Sequence, residues 1–176
     1  MTVYRTLLSG EIDRALFAHF NRKQVVTACR RKVGGAWRIQ SDPFVDDWSE
    51  SDYAFLVQCL QNTVNTGGAV IGAFENGKLK GFVSVESAPM AGMEDYRDLT
   101  SLHVSADRRG GGIGSALFGY AKKSAKALGG KKLYISAHSA VETQAFYLAM
   151  GCRDAVQICA AHAEKEPFDC QLECDL

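Results

Sequence analysis

Apolar residues recur at two spacings along the chain, and the change from one to the other marks its elements. Strand-like runs, alternating or short and apolar, cover Val3–Leu7, Leu99–Val104, Lys132–Ala137 and Ala155–Ala160. Val25–Lys32 and Ala36–Ile39 flank Gly34-Gly35 and read as a hairpin. Ala69–Phe74 and Lys80–Glu86 flank Asn76-Gly77, a strong hairpin signal because both turn residues tolerate positive φ. Phe168–Leu176 alternates throughout and predicts a half-buried terminal strand.

Helical spacing appears three times. A helix starting at Ser9 or Gly10 would align Ile12, Leu16 and Phe20. Ser49-Glu50-Ser51-Asp52 reads as a cap, because a serine oxygen can accept from first-turn N–H groups. Behind it, Tyr53, Leu56, Val57, Leu60 and Val64 form a stripe expected to face the core, and Gly67-Gly68 ends the helix. A third pattern runs from Ser115 to Leu128 and stops at Gly129-Gly130. Ser41–Trp48, Ser87–Arg97 and Ala161–Pro167 are expected as connections. The length of 176 residues fits one domain, 1–176.

The chemistry concentrates between Asp98 and Tyr147. A strand, then Arg109-Gly110-Gly111-Gly112-Ile113-Gly114-Ser115, then a helix and a second strand, form a βαβ unit whose strands should be parallel. Glycines admit close backbone approach, and helix N-termini present unpaired N–H groups, so this loop suits a pyrophosphate. A Walker A loop needs lysine after the last glycine, where Ser115 stands. A dinucleotide fingerprint needs glycine where Ser115 or Leu117 stands. What remains is Arg-x-x-Gly-x-Gly, carried by Arg109, Gly112 and Gly114. On its own this also fits a glycine turn entering a helix with no ligand.

After the second strand comes Ala145-Phe146-Tyr147-Leu148-Ala149-Met150-Gly151-Cys152. The two blocks together resemble the GNAT superfamily of acetyl-CoA-dependent N-acetyltransferases: its (Gln/Arg)-x-x-Gly-x-(Gly/Ala) loop and its Phe-Tyr-x-x-x-Gly-Phe segment. The chain departs from the family pattern at Ala140, Thr143 and Cys152. The resemblance implies an α/β (α+β) fold: a mixed, mostly antiparallel central sheet flanked by helices, with one splayed parallel strand pair. It implies acetyl-CoA as acyl donor and no metal. By the same resemblance, the backbone of Leu102, His103 and Val104 would hold the pantetheine arm. Arg109, Gly110, Gly111, Gly112, Ile113, Gly114 and Ser115 would hold the pyrophosphate.

Acetyl transfer sets three requirements. An amine with pKa near ~10.4 must lose a proton to a base. The thioester oxygen needs a donor, for which the resemblance offers the Val104 N–H. The leaving thiolate needs an acid, and a phenol can supply it, which points to Tyr147. For the base, Asp98 and Glu86 stand at strand ends in this reading, and a water chain is the third option. His103, on a strand beside the cofactor, is expected to be a packed side chain. The alternative from another class is a non-catalytic acyl-CoA-binding or regulatory domain of the same fold.

Charge and composition narrow the partners. Twenty basic and twenty acidic residues give a net charge of zero, so nothing points to nucleic acid. No apolar run has membrane-spanning length, and the N-terminus lacks an apolar signal core. Cys29, Cys59, Cys152, Cys159, Cys170 and Cys174 lack Cys-x-x-Cys spacing and read as reduced, buried thiols of a cytoplasmic protein. Asp42, Asp46, Asp47, Glu94 and Asp95 could border the site and favour a cationic amine. The acceptor is expected to be an amine-bearing small molecule or peptide. A homodimer, through terminal strands or N-terminal helices, is compatible with the resemblance.

Overall fold

A computed structural model describes all 176 residues. In chain order the strands are β1 (Val3–Thr6), β2 (Gln24–Val33), β3 (Ala36–Asp46), β4 (Ala69–Glu75), β5 (Lys78–Met90), β6 (Met93–Val104), β7 (Lys132–Ala137), β8 (Arg153–Asp154) and β9 (Cys170–Asp175). The helices are α1 (Glu50–Asn65), α2 (Ile113–Ala127), α3 (Val141–Ala149) and α4 (Ala160–Lys165). Seven strands form one sheet in the order β1-β4-β5-β6-β7-β9-β8, while β2 and β3 pair separately. Only β6 and β7 run parallel; the other adjacent pairs are antiparallel. This is the mixed, mostly antiparallel architecture that the resemblance implied.

The two faces of the sheet are covered by different helices. On one face, Ile113, Leu117, Phe118, Ala121 and Ala125 of α2 pack on Ile71, Val83, Val85, Leu133 and Ile135. Gly81 permits the close approach, since a Cβ there would lie 2.9 Å from Ile113 and Leu117. On the other face, Tyr53, Leu56 and Leu60 of α1 meet Leu7, Ile12, Phe17, Phe20, Phe74 and Phe82. The stripe read from α1 therefore faces the core. Its cap is also as expected: Ser49 Oγ accepts from the Asp52 N–H, and the Asp52 carboxylate accepts from the Ser49 N–H.

Five stretches differ from the periodicity reading. Residues 9–17 form two 3-10 turns, Ser9–Glu11 and Ala15–Phe17, in place of a helix. Glu11 and Asp13 accept the backbone N–H groups of Leu8 and Leu16, which competes with helical bonding. Strand β3 continues to Asp46 through Pro43, which falls where the β2–β3 register shifts and no ladder donor is needed. Strands β5 and β6 likewise extend to Met90 and from Met93, with register shifts on both sides of Pro89. Glu86 and Asp98 therefore lie within strands, not at their ends. Between Ala155 and Cys159, side chains replace a ladder: the Val156 N–H donates to Glu173 and the Cys159 N–H to Tyr134 Oη. Helix α4 follows where a polar connection was expected.

The cysteines are all free. Cys29, Cys152, Cys170 and Cys174 are buried, but Cys59 is exposed and Cys159 half-buried. Cys59 lies on a face of α1 outside the hydrophobic stripe, so the uniform burial expected from sequence does not hold.

Glu173 on β9 is fully buried and anchors the far edge of the sheet. It accepts from Tyr96 at 2.7 Å and the Val156 N–H at 3.1 Å, and pairs with Lys132 and Arg153, each at 2.8 Å. Burial alone would raise its pKa, but these donors outweigh it and hold the carboxyl at about 2. A folded-state pKa below the unfolded value means stability present above the ordinary glutamate range and lost as pH falls toward that value. Glu173→Gln is expected to lower stability near neutral pH by about 3 kcal/mol. That corresponds to a thermal midpoint about 6–12 °C lower. The deficit should shrink as pH falls from the ordinary glutamate range, which thermal melts between pH 7 and pH 3 would check.

Candidate active site

A bulge and a parting of strands open the site. β6 pairs with β5 at Ser101↔Ser84 and Leu99↔Val85, leaving Thr100 as the extra residue. Such a bulge bends its strand and strengthens its twist. The parallel rungs between β6 and β7 stop at Asp98↔Tyr134, so 99–104 and 135–137 diverge. The gap continues into a cavity of about 1050 Å³. Its walls include β6, the glycine loop, β7, α3, one side of α1, and α4.

Backbone direction along β6 follows from one hydrogen bond. The Ser105 N–H donates to Lys80 O at 2.9 Å, toward β5. Successive strand residues present their backbone groups to opposite sides. The Val104 and Leu102 amides and carbonyls therefore face the gap, and those of His103 face β5. Val104 O accepts from Arg109 Nε at 3.2 Å. The His103 ring packs against Trp48 with centroids 4.8 Å apart and against Phe82 at 5.4 Å. Burial first, then Arg22, Arg109 and His138, push its pKa down to about 3. It is a neutral packed ring, as its strand position suggested.

The loop after β6 enters α2 through Gly112, the N-cap residue, at φ 82°. Only glycine adopts this left-handed conformation without a Cβ penalty. No side chain caps α2, so its first amides have no side-chain acceptor. Gly110, Gly112, Ile113, Gly114 and Ser115 line the cavity, and Gly111 does not. Arg109 turns back onto the carbonyls of Val104, Arg22 and Lys23 and so braces the loop. Arg22, which also lines the cavity, lies over the Trp48 ring and pairs with Asp46; its buried Nε has no acceptor.

Tyr147 sits on α3 with its ring in the α2–α3 interface, edge-on to Phe118 and Phe146. It is buried yet borders the cavity. Burial, then the neighbouring Cys152 and Asp169, raise its phenol well above the ordinary value. It therefore stays protonated across the physiological range.

The opposite wall is acidic. Glu86 accepts from Thr63 on α1 at 2.6 Å and from Thr100 at 3.3 Å. Asp98 meets His162 of α4 at 2.6 Å. Asp169, held by Ser136 Oγ at 3.0 Å, has a pKa raised chiefly by burial. The cavity thus brings Tyr147, Asp98 and Glu86 together with the glycine loop and the β6 backbone. The five loop acids lie elsewhere: Asp42 and Asp46 pair with Arg31 and Arg22, Asp95 with Lys131, and none of the five lines the cavity.

The sequence reading did not single out Arg22, Trp48, Thr63, His138, His162 or Asp169, all of which line the cavity. Most come from elements far apart in the chain. His162 lies on a helix of six residues, too short for a periodic signal.

Comparison with known proteins bears on the fold and family. Residues 35–152 match the family model described as the acetyltransferase (GNAT) family. No curated protein matches the chain by sequence. Among solved structures, the chain is similar to a Bacillus anthracis protein, provisionally described as a streptothricin acetyltransferase, in complex with acetyl coenzyme A. That likeness has a TM-score of 0.73 and 14% identity, over 98% of this chain and 96% of the other. A nourseothricin acetyltransferase aligns with TM-score 0.67 and 18% identity, over 98% and 95%. A PaiA N-acetyltransferase from Thermoplasma acidophilum, in complex with coenzyme A, aligns with TM-score 0.62 and 14% identity, over 100% and 99%.

Proposed function

The chain belongs to the GNAT acetyltransferase family, and on that premise we propose that it moves an acetyl group from acetyl-CoA to a primary amine of a small molecule or peptide. The observation that carries this is the joining of one cavity to both a glycine loop with uncapped amides and a buried phenol. Uncapped amides at the start of α2 stand beside the gap between β6 and β7, with Tyr147 on the adjoining wall.

In this reading the pyrophosphate lies on the amides of Gly110 to Ser115, favoured by the helix N-terminus. Arg109 holds that loop in shape. The gap-facing backbone of Leu102 and Val104 pairs with the pantetheine arm, and the His103 backbone, turned toward β5, takes no part in this. The Val104 N–H donates to the thioester oxygen as it gains charge. Direct attack by the amine follows, and Tyr147 protonates the departing thiolate. The base belongs to the acidic wall, which carries Asp98 and Glu86 among its carboxylates and has room for a bound water. A merely binding domain has no use for a donor such as Tyr147.

A thiol-release assay with acetyl-CoA over a mixed panel of amines tests the proposal. Turnover with at least one amine is expected. Binding of acetyl-CoA without turnover on any amine would refute it in favour of a non-catalytic acyl-CoA-binding domain. Because Glu86, Asp98, Glu166 and Asp169 with Lys165 line one wall, while Arg22, Arg108 and Arg109 lie at the glycine-loop end, a cationic acceptor is expected at the acidic wall. Its KM should then rise several-fold between about 50 mM and 500 mM salt, as screening of surface charge requires.

A further inference from the structure

One pair of side chains on the acidic wall is arranged for proton transfer. His162 Nε2 lies 2.6 Å from Asp98 Oδ2, and Nδ1 has no protein partner. The imidazole stacks on Tyr134, centroids 5.8 Å apart and planes within 16°. Tyr134 is itself fixed, donating to Gln171 at 2.7 Å and accepting from the Cys159 N–H at 3.0 Å. His162 lines the cavity that also holds Tyr147. A carboxylate can only accept, so the neutral ring keeps its proton on Nε2 and leaves a lone pair on Nδ1.

From this geometry we infer that His162, held by Asp98, is the base that takes the proton of the acceptor amine, and that Asp98 is its positioning residue. The inference rests on the acetyl-transfer reading above. His162 Nδ1 accepts a proton from the ammonium and frees the nitrogen lone pair. The N–C bond then forms at the thioester carbonyl, and the C–S bond breaks. Tyr147 gives its proton to the sulfur and regains one from the nitrogen that becomes the amide. His162 releases its proton to solvent. One ammonium and one thioester yield one amide, one thiol and one proton.

The surrounding charges set the pH response. The hydrogen bond that His162 donates to Asp98 on β6 is the largest influence and, with Asp169 before β9, favours the imidazolium, while burial and Lys165 on α4 oppose it; the pKa lies above its ordinary value. Glu166 at the end of α4 and His138 after β7 also border this wall. A base must be unprotonated, so the rate should rise with pH through a pKa above the ordinary histidine value of about 6.5.

The test is the pH profile of kcat and kcat/KM for wild type, His162→Gln and Asp98→Asn, with an NMR titration of the His162 ring. His162→Gln should lose about 10²-fold in kcat and lose the acidic limb. Asp98→Asn should keep the limb but move it to lower pH, with the His162 resonance titrating lower in parallel. Thermal midpoints near wild type would confirm that both variants fold. A His162→Gln enzyme with wild-type kcat and an unmoved limb overturns the assignment, as does an unchanged His162 titration in Asp98→Asn. If wild type binds acetyl-CoA but acetylates no amine, the acetyl-transfer reading itself fails, and this one with it.

Discussion

Tyr147→Phe is expected to lower kcat by about 10²–10⁴-fold, the usual contribution of a positioned acid, while the KM for acetyl-CoA changes little. The substitution removes one hydroxyl and keeps the ring that packs against Phe118 and Phe146. Folding should therefore be nearly unaffected, and a thermal melt within a few degrees of wild type would establish that. The effect belongs to kcat because the sulfur gains charge only as the C–S bond breaks. Burial keeps the phenol protonated well beyond its ordinary pKa, so any alkaline limb of the wild-type profile below about pH 10 would have another origin. Wild-type turnover in Tyr147→Phe across the whole pH range would remove Tyr147 from the mechanism.

Gly112→Val should weaken acetyl-CoA binding by about 100-fold. Gly112 stands at φ 82° as the residue before α2. A β-branched residue is strained there, by about 1–2 kcal/mol. The loop relieves that strain by turning its amides away from the position an anion would take. Each charge-assisted hydrogen bond lost costs about 1.5–3 kcal/mol, and about 2.7 kcal/mol is a factor of 100. Gly112→Asn is the informative companion, because asparagine tolerates the left-handed region and should retain most of the affinity. Calorimetry with acetyl-CoA measures both. Equal affinity in wild type and Gly112→Val would mean that these amides do not hold the pyrophosphate.

The parts of this protein legible in its sequence are those set by local rules. The Asn76-Gly77 hairpin, the Ser49 cap and the α1 stripe are each fixed by residues within a few positions of one another. The glycine loop is local for the same reason: Gly112 can adopt φ > 0 without a Cβ penalty. Where local rules conflict with long-range pairing, the sequence misleads. Pro43 and Pro89 suggested loops, yet both lie within strands, because register shifts beside them remove the need for a donor. Two local rules compete at residues 9–17: Glu11 and Asp13, each bonding a backbone N–H three residues away, override the helix that the spacing of Ile12, Leu16 and Phe20 predicts.

The sequence by itself determined the family resemblance, the glycine loop and the candidacy of Tyr147, Asp98 and Glu86, because motif and spacing lie within short stretches. Only the tertiary structure decided what surrounds them. Asp98 and His162 are 64 residues apart and meet at 2.6 Å because α4 folds back over the gap between β6 and β7. The gap exists because Thr100 has no partner on β5 and the parallel rungs end at Asp98. Such contacts arise from the register of neighbouring strands, and register is a property of pairs of segments that no single segment encodes.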